Sequence, residues 1–461
     1  MNLTKSQQLA MDAFQAGYSF FLTGKAGTGK SFVTRQIIDQ CKSMGKQVLV
    51  CAPTGIAAIN VGGVTIHSAF RAPVGIVEPG KRCVDSRKLK VLEAADVILI
   101  DEISMCRLDL FEFVINSIKY IGKKQLILVG DFFQLPPVLT DSESEVYNRF
   151  YPSIYPFMSP LWDDMGIKTI ELKECVRIQE KSLVKALDDI RVGIPNFKIF
   201  KSTKKDSKTA VSLCTTNKKA ADINQEGLKN LKNPERLTAN IYGEFPEKDM
   251  PTDKVLTLAP GARVMLLNNS DFWVNGTLGT VESIQDDFVM VSMSSGTHII
   301  KRNKWEATEY QTRTIKEDGK TKTILEQVTV GSFHQFPLKL AWAITVHKSQ
   351  GQTYDEVNIY PERFFSPGQM YVALSRCKTL DGMKIIGKLS PKGLICSDEV
   401  KDFMTKSDNV IKSVKKGGKR DGAGRKAKFA GYKMKTIRVP EELEAEIFEF
   451  IDSLISSRNQ K

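Results

Sequence analysis

The stretch YSFFLTGKAGTGKSFVTRQIIDQCKS, residues 18–43, decides how the chain is read. An apolar run ends at a glycine-rich turn, Gly24-Lys25-Ala26-Gly27-Thr28-Gly29-Lys30-Ser31, and a helical pattern follows. This satisfies GxxxxGK[ST] in the strand, loop and helix setting that the motif requires. Its glycines let backbone N–H groups close around β- and γ-phosphates at a helix N-terminus, where the dipole favours negative charge. Lys30 is suited to neutralise those phosphates, and Ser31 to offer its hydroxyl to Mg²⁺. The expected ligands are ATP and Mg²⁺.

Outward from this turn, QVLVC, DVILID and QLILVGD are further short apolar runs, each stopped by Gly, Pro or a carboxylate and separated by helical patterns. The alternation predicts an α/β fold with a parallel sheet, whose chemistry gathers at the carboxyl ends of the strands. Asp101 and Glu102 stand at one such end. Asp101 is suited to the metal shell and Glu102 to polarising an attacking water, which favours hydrolysis over transfer to an acceptor. Gln134, in GDFFQLPP at the next strand end, is a candidate to bond the γ-phosphate or its water. A GTPase is disfavoured: no Asp-x-x-Gly follows the second carboxylate site, and NKxD is absent.

Residues 71–93 break the pattern with Pro and Gly and read as a small insertion in a first domain of residues 1–168. A second α/β region is expected over 169–400. Within it, short alternating segments from Gly261 onward predict an all-β barrel insertion, centred on about 272–334.

The net charge is +13, and Lys412 to Lys435 supplies much of it, with ten basic residues against Asp421. Such a balance suits a polyanionic partner. Eight cysteines lie scattered without a CxxC pair, which fits reduced thiols and argues against a zinc site. No leader-like or membrane-spanning run is evident, so a cytoplasmic location and no membrane partner are the default expectation.

With GKAGTGKS, DEISM and GDFFQLPPV in order, the sequence closely resembles the Pif-type DNA helicases of superfamily one, the group with RecD-like and Dda-like enzymes. APTGIAA (52–58), TIHSAF (65–70), LKECVR (172–177), TTNKKAADIN (215–224), AWAITVHKSQGQT (341–353) and GQMYVALSR (368–376) agree, and the likeness spans residues 3–387. The resemblance implies two RecA-like domains, an SH3-like barrel in the second, and an ATP-dependent helicase moving 5′ to 3′ on single-stranded DNA toward duplex or forks. It implies that Gln7 reads the adenine, that Arg177 and Arg376 reach the γ-phosphate, and that Gln350 and Gly351 line the nucleotide cleft. Pro53, Thr54, Thr65, His67, His347 and Lys348 match positions along the single-strand track. Two departures, Ile178 where the family has Gln after Arg and a missing Phe-Gly-Gly signature, point to the bacterial or phage type.

The 71–93 insertion carries no aromatic residue. This favours, as an alternative, a translocase that remodels protein–DNA complexes without unwinding. A DNA-binding regulator with a vestigial ATPase is the other alternative, which the intact motif set opposes. Residues 401–461 read as a basic linker and a strand-helix unit resembling half of a ribbon-helix-helix. Leu443, Ile447, Phe450, Ile451 and Leu454 share one helix face, so self-association through the tail is a further expectation.

Overall fold

The computed structural model describes residues 3–413 apart from 140, 177, 179, 201, 204–206, 208, 209, 274, 318, 319, 407–409 and 412. Arg177 and the tail beyond 413 therefore lie outside the described residues, and with them the ribbon-helix reading.

Six strands pair into a wholly parallel sheet: β1 (Phe20–Gly24), β2 (Val48–Ala52), β3 (Val64–Thr65), β4 (Val97–Ile100), β5 (Gln125–Val129) and β6 (Lys168–Leu172), in the order β3-β2-β4-β5-β1-β6. Every residue of β1 and β4 is buried. Strands covered on both faces need no polar alternation, which is why these read as continuous apolar runs. Helix α1 (Lys5–Gln15) opens on a capping box in which Thr4 and Gln7 satisfy each other's end of the first turn. Helix α2 (Lys30–Ser43) starts inside the phosphate-loop motif, with left-handed Gly29 as its cap and no side chain covering its first N–H groups.

The sheet extends past the expected boundary at residue 168. Strand β6 pairs along all of β1, from Phe20 opposite Lys168 to Gly24 opposite Leu172. Thr169, Ile170 and Leu172 are buried there, so burial against β1 fixes the strand in the first sheet.

A second parallel sheet is built from Ser202–Thr203, Val211–Cys214, Ala343–Thr345, Val357–Ile359 and Met383–Ile386, with 211–214 between 343–345 and 357–359. Between its strands in sequence lies a five-stranded antiparallel sheet of Arg263–Leu266, Leu278–Ile284, Phe288–Met293, Gly296–Lys301 and Leu338–Leu340. Val264 and Leu266, before residue 272, and Phe336 and Leu338, after residue 334, share one core with Val281, Val289 and Val291. The β insertion is thus wider than the expected 272–334, because strands distant in sequence close its core.

Two elements cross from this region back to the first sheet. The long hairpin of Asn303–Glu317 and Lys320–Gln335 buries Tyr310 in the first core. Its Leu325 N donates to Gln47 Oε1 (2.9 Å), and Glu309 pairs with Lys88 Nζ (2.8 Å) of the 71–93 insertion. The second is the segment after Ser397, expected to be linker from 401. Its helix Asp398–Thr405 instead buries Val400 in the first core. Phe403 stacks on Phe157 (4.3 Å between centroids) and meets Trp162 and Phe132 edge-on, while Ile411 N bonds Thr169 O (2.9 Å) beside β6. Val400, Phe403 and Met404 fall at helical spacing, and burial of that stripe draws the segment onto the sheet. Among the described residues, no helix is long and apolar enough to cross a membrane.

Candidate active site at the carboxyl ends of the strands

The phosphate loop leaves β1, Asp101 and Glu102 leave β4, and the Asp131–Gln134 turn leaves β5. Because β4, β5 and β1 are consecutive neighbours, parallel pairing brings all three to one edge. The loop is held in shape from inside the fold. Gln7 takes Thr4 N on its Oε1 (3.0 Å) and donates from Nε2 to Thr28 O (3.1 Å). A Cβ at Gly29, where φ is +88°, would stand 2.6 Å from that Nε2, so a side chain there would be strained and would push Gln7 aside.

Lys30 Nζ donates to Gly24 O (2.6 Å) and Lys25 O (3.3 Å). Burial lowers its pKa, against the pull of Asp131, Glu102 and Asp101. Burial also raises Asp101 to about 7, helped by the charge of Glu102 and opposed by the Glu102 N–H and Lys30. The Glu102 carboxyl is raised as well, chiefly by burial, with Lys30 and Arg376 opposing. Glu102 has φ +50°, a left-handed conformation that is strained for a residue with a side chain. Two adjacent half-buried carboxyls near the Lys30 ammonium form a site short of positive charge, which suits a dication. Ser31 is exposed at the start of α2, and it and Asp101 are the residues that could hold such an ion.

The second sheet closes the cleft. Gln350 Nε2 donates to Glu102 Oε2 (3.2 Å), and among the described residues its Oε1 is buried without a hydrogen-bond partner. Such an orphan fits a ligand group in the cleft. Gly351 follows it in the left-handed region, with φ +78°. Arg376 is 1% exposed and donates to Ser349 O, Gln352 O, Val372 O and Ser375 Oγ. Its guanidinium is thus fixed to the second sheet's own loops, near enough for its charge to act on Glu102.

Four contacts to this site were not foreseen in the sequence. Tyr371 Oη accepts from Ala26 N (2.9 Å), and Asp188 pairs with Lys25 (2.5 Å). Asp131, next to the expected Gln134, binds Arg191 from the helix Lys181–Arg191 (2.9 Å). Gly368 lies so close to the carbonyls of Phe133 and Gln134 that any Cβ would collide with them. Asp131 and Gly368 lie within quoted motifs and could have been found there; Arg191 ends an ordinary amphipathic helix and carries no such signal.

The residues expected along a DNA track divide into two groups. Pro53 and Thr54 follow β2, and Thr65 ends β3; Thr54 and Thr65 cap the short helices after them by accepting from Ala57 N and Ser68 N. Thr65 and His67 line a cleft of about 560 Å³, shared with Arg71, Phe245, Asp249 and Glu306. His347 and Lys348 follow the strand Ala343–Thr345 and do not line that cleft; His347 lies parallel to the half-exposed ring of Phe365, 6.3 Å away.

The family model described as PIF1-like helicase matches residues 2–193. The ATP-dependent DNA helicase Pif1 of Campylobacter jejuni is 33% identical over 406 residues, covering 79% of this chain and 88% of that protein. The chain belongs to the PIF1-like helicase family. Among solved structures, Bacteroides sp. Pif1 in complex with ADP-AlF4 aligns with a TM-score of 0.78 at 33% identity, covering 88% of this chain and 96% of that one. Bacteroides Pif1 bound to single-stranded DNA aligns at 0.64, with 33% identity and 87% and 96% coverage. Family membership accounts for the two parallel sheets that meet at one cleft.

Proposed function

We propose that this chain is an ATP-dependent DNA helicase that moves 5′ to 3′ along single-stranded DNA and opens duplex ahead of it. The observation that carries the reading is the meeting of Lys30, Asp101, Glu102 and Gln134 at one sheet edge with Gln350 and Arg376 of the second sheet across from them. The resemblance supplies the polarity, and the Bacteroides complexes support the choice of ligands.

In this reading Lys30 leaves its own loop carbonyls for the β- and γ-phosphates, and the uncapped start of α2 receives them. Ser31 and Asp101 would hold Mg²⁺, which when bound would offset the negative charge of the phosphates. Glu102 orients and deprotonates the attacking water, and Gln134 contacts the γ-phosphate or that water. Arg376, joined by Arg177, stabilises the charge that develops in transfer, so hydrolysis depends on closure of the cleft. The adenine role of Gln7 belongs to the same reading. Pro53, Thr54, Thr65, His67, His347 and Lys348 serve the strand, through phosphate contacts and base stacking.

One feature favours unwinding over bare translocation. Val74 is 86% exposed next to Pro73, an apolar tip on the 71–93 insertion that can press on a base pair without an aromatic ring. The test is unwinding of duplexes with a single 5′ or 3′ tail, run beside strand-stimulated ATPase. Opening of 5′-tailed substrates alone is expected. Opening of 3′-tailed substrates alone reverses the polarity, and stimulated hydrolysis without opening of either makes the chain a translocase.

A further inference from the structure

The turn after β5 is one of the places where the two sheets are joined, and a buried ion pair lies at its centre. Asp131 accepts from Arg191 through two nitrogens, Nη2 to Oδ1 at 2.9 Å and Nε to Oδ2 at 3.4 Å. Their side chains are 0% and 5% exposed. The guanidinium also lies over the Phe133 ring, 4.3 Å from its centroid, and approaches Glu171 of β6 at 4.0 Å. Burial works against both charges. Even so, Arg191 and Lys30 keep the Asp131 carboxyl below its usual range, and Asp131 keeps the guanidinium firmly charged.

The same carboxylate shapes the turn. Asp131 Oδ1 accepts Phe133 N (3.2 Å), and Oδ2 accepts Gln134 Nε2 (3.3 Å). Gln134 is therefore one bond from Asp131 and two from Arg191. Arg191 in turn ends a helix whose Leu183, Leu187 and Ile190 are buried among Val211, Leu213 and Val357 of the second sheet. Leu135 of the turn is buried in that same core. A guanidinium fork making two bonds to one carboxylate transmits direction as well as charge, which a point ammonium does not.

We infer that Arg191 is a positioning residue for hydrolysis, and that Gln134, Asp131 and Arg191 form the relay by which the γ-phosphate site moves the second sheet. The inference rests on the reading of the cleft as an ATPase. When Gln134 shifts with the state of the phosphate, Asp131 shifts with it, and the 181–191 helix follows because its last residue is bound there. Loss of the fork leaves phosphate binding to Lys30 and the loop but disconnects the sensor from the moving body.

The experiment uses the full chain and three variants: Arg191→Lys, Arg191→Gln and the double variant Asp131→Asn with Arg191→Gln. The double variant replaces the ion pair by neutral hydrogen-bonding groups, so it remains informative if Arg191→Gln alone does not fold. For each, KM and kcat for ATP on saturating single-stranded DNA are measured, with nucleotides advanced per ATP from translocation kinetics. The expected result for the glutamine variants is a kcat lower by about tenfold or more with KM changed less than about threefold, and fewer nucleotides per ATP. Arg191→Lys restores melting temperature but not the advance per ATP. Folded variants with unchanged kcat and advance overturn the inference, as does a rise in KM that accounts for the whole loss. Absence of strand-stimulated hydrolysis in the unaltered chain removes the ATPase reading itself, and the inference with it.

Discussion

Glu102 combines three properties that an ordinary surface glutamate lacks: a left-handed backbone, a raised carboxyl and a hydrogen bond from the opposite sheet. A strained φ costs on the order of 1–3 kcal/mol and persists where the surroundings hold it. Here β4 and Gln350 hold it against the phosphate loop. Glu102→Gln keeps the shape but removes the base, so ATP is expected to bind within a few-fold of normal while hydrolysis falls by roughly 10²-fold or more. Lys30→Ala is expected to lose nucleotide binding instead. Nucleotide titration by fluorescence and single-turnover hydrolysis separate the two effects, and near-normal turnover in Glu102→Gln takes Glu102 out of the reaction. A second residue-scale prediction concerns Lys339, which burial, aided by the charge of Lys348, lowers from 10.5 to about 8. The folded chain thus holds fewer protons than the unfolded chain between about pH 8 and 10.5, and the cost of that buried charge, present at neutral pH, is relieved as pH rises through this window. If Lys339, beside Lys348 of the expected track, meets a DNA phosphate, that phosphate favours the charged form. Affinity for single-stranded DNA is therefore expected to fall by up to about tenfold from pH 7 to pH 9 at fixed salt, and to fall much less in Lys339→Arg. Equal pH profiles for the two proteins, measured by anisotropy, place Lys339 off the track.

Among the elements, the helix Asp398–Thr405 is the one whose contribution is easiest to measure. Phe403 touches four aromatic rings of the first core, Phe21, Phe132, Phe157 and Trp162, and Phe132 is adjacent to Asp131 in the sensor turn. Removing this half-buried ring is expected to cost roughly 2–3 kcal/mol, less than a fully enclosed phenylalanine. Phe403→Ala should therefore lower the melting temperature, whereas Phe403→Leu should recover most of it; no shift in either means the helix is not seated on the first core in solution. That helix also shows why parts of the fold were illegible in sequence. Strands β1, β4 and β5 could be read because full burial made them unbroken apolar runs that end at motif residues. The helix Asp398–Thr405 has eight residues, and its Val400, Phe403 and Met404 precede a strongly basic stretch, so composition outweighed a short amphipathic signal. The long hairpin was masked differently: TILEQVTVGSF alternates as a barrel strand does, and alternation says that one face is covered but not by which body. In the site, the loop, Asp101, Glu102 and Gln134 were legible because local geometry and chemistry coincide there. Arg191 was not, because its partner is 60 residues away and exists only once the two sheets meet.

At the scale of the whole molecule, the two sheets are joined by the Asp131–Arg191 turn, by the long hairpin on Lys88 and Gln47, and by the segment from Ser397 to Ile411 along β6. The third connection sets where the chain can be cut without loss of the engine. Truncation after residue 413 keeps Val400, Phe403 and the Ile411 bond to Thr169, and is expected to preserve melting temperature and DNA-free ATPase. Truncation after Cys396 removes all three and uncovers the aromatic core, so it should melt earlier and lose hydrolysis through the displaced Phe132 turn. The residues that the first truncation deletes carry nine of the ten basic groups between Lys412 and Lys435. If they grip DNA, their loss weakens binding most at low salt and makes the slope of log affinity against log salt shallower, because fewer counterions are released. If the apolar face of Leu443, Ile447 and Leu454 joins two copies, the same cut converts a dimer to a monomer in sedimentation and leaves that slope nearly unchanged. A chain cut after 413 that keeps its salt slope and its assembly state has lost neither a grip nor a joint, and both readings of the tail then fall.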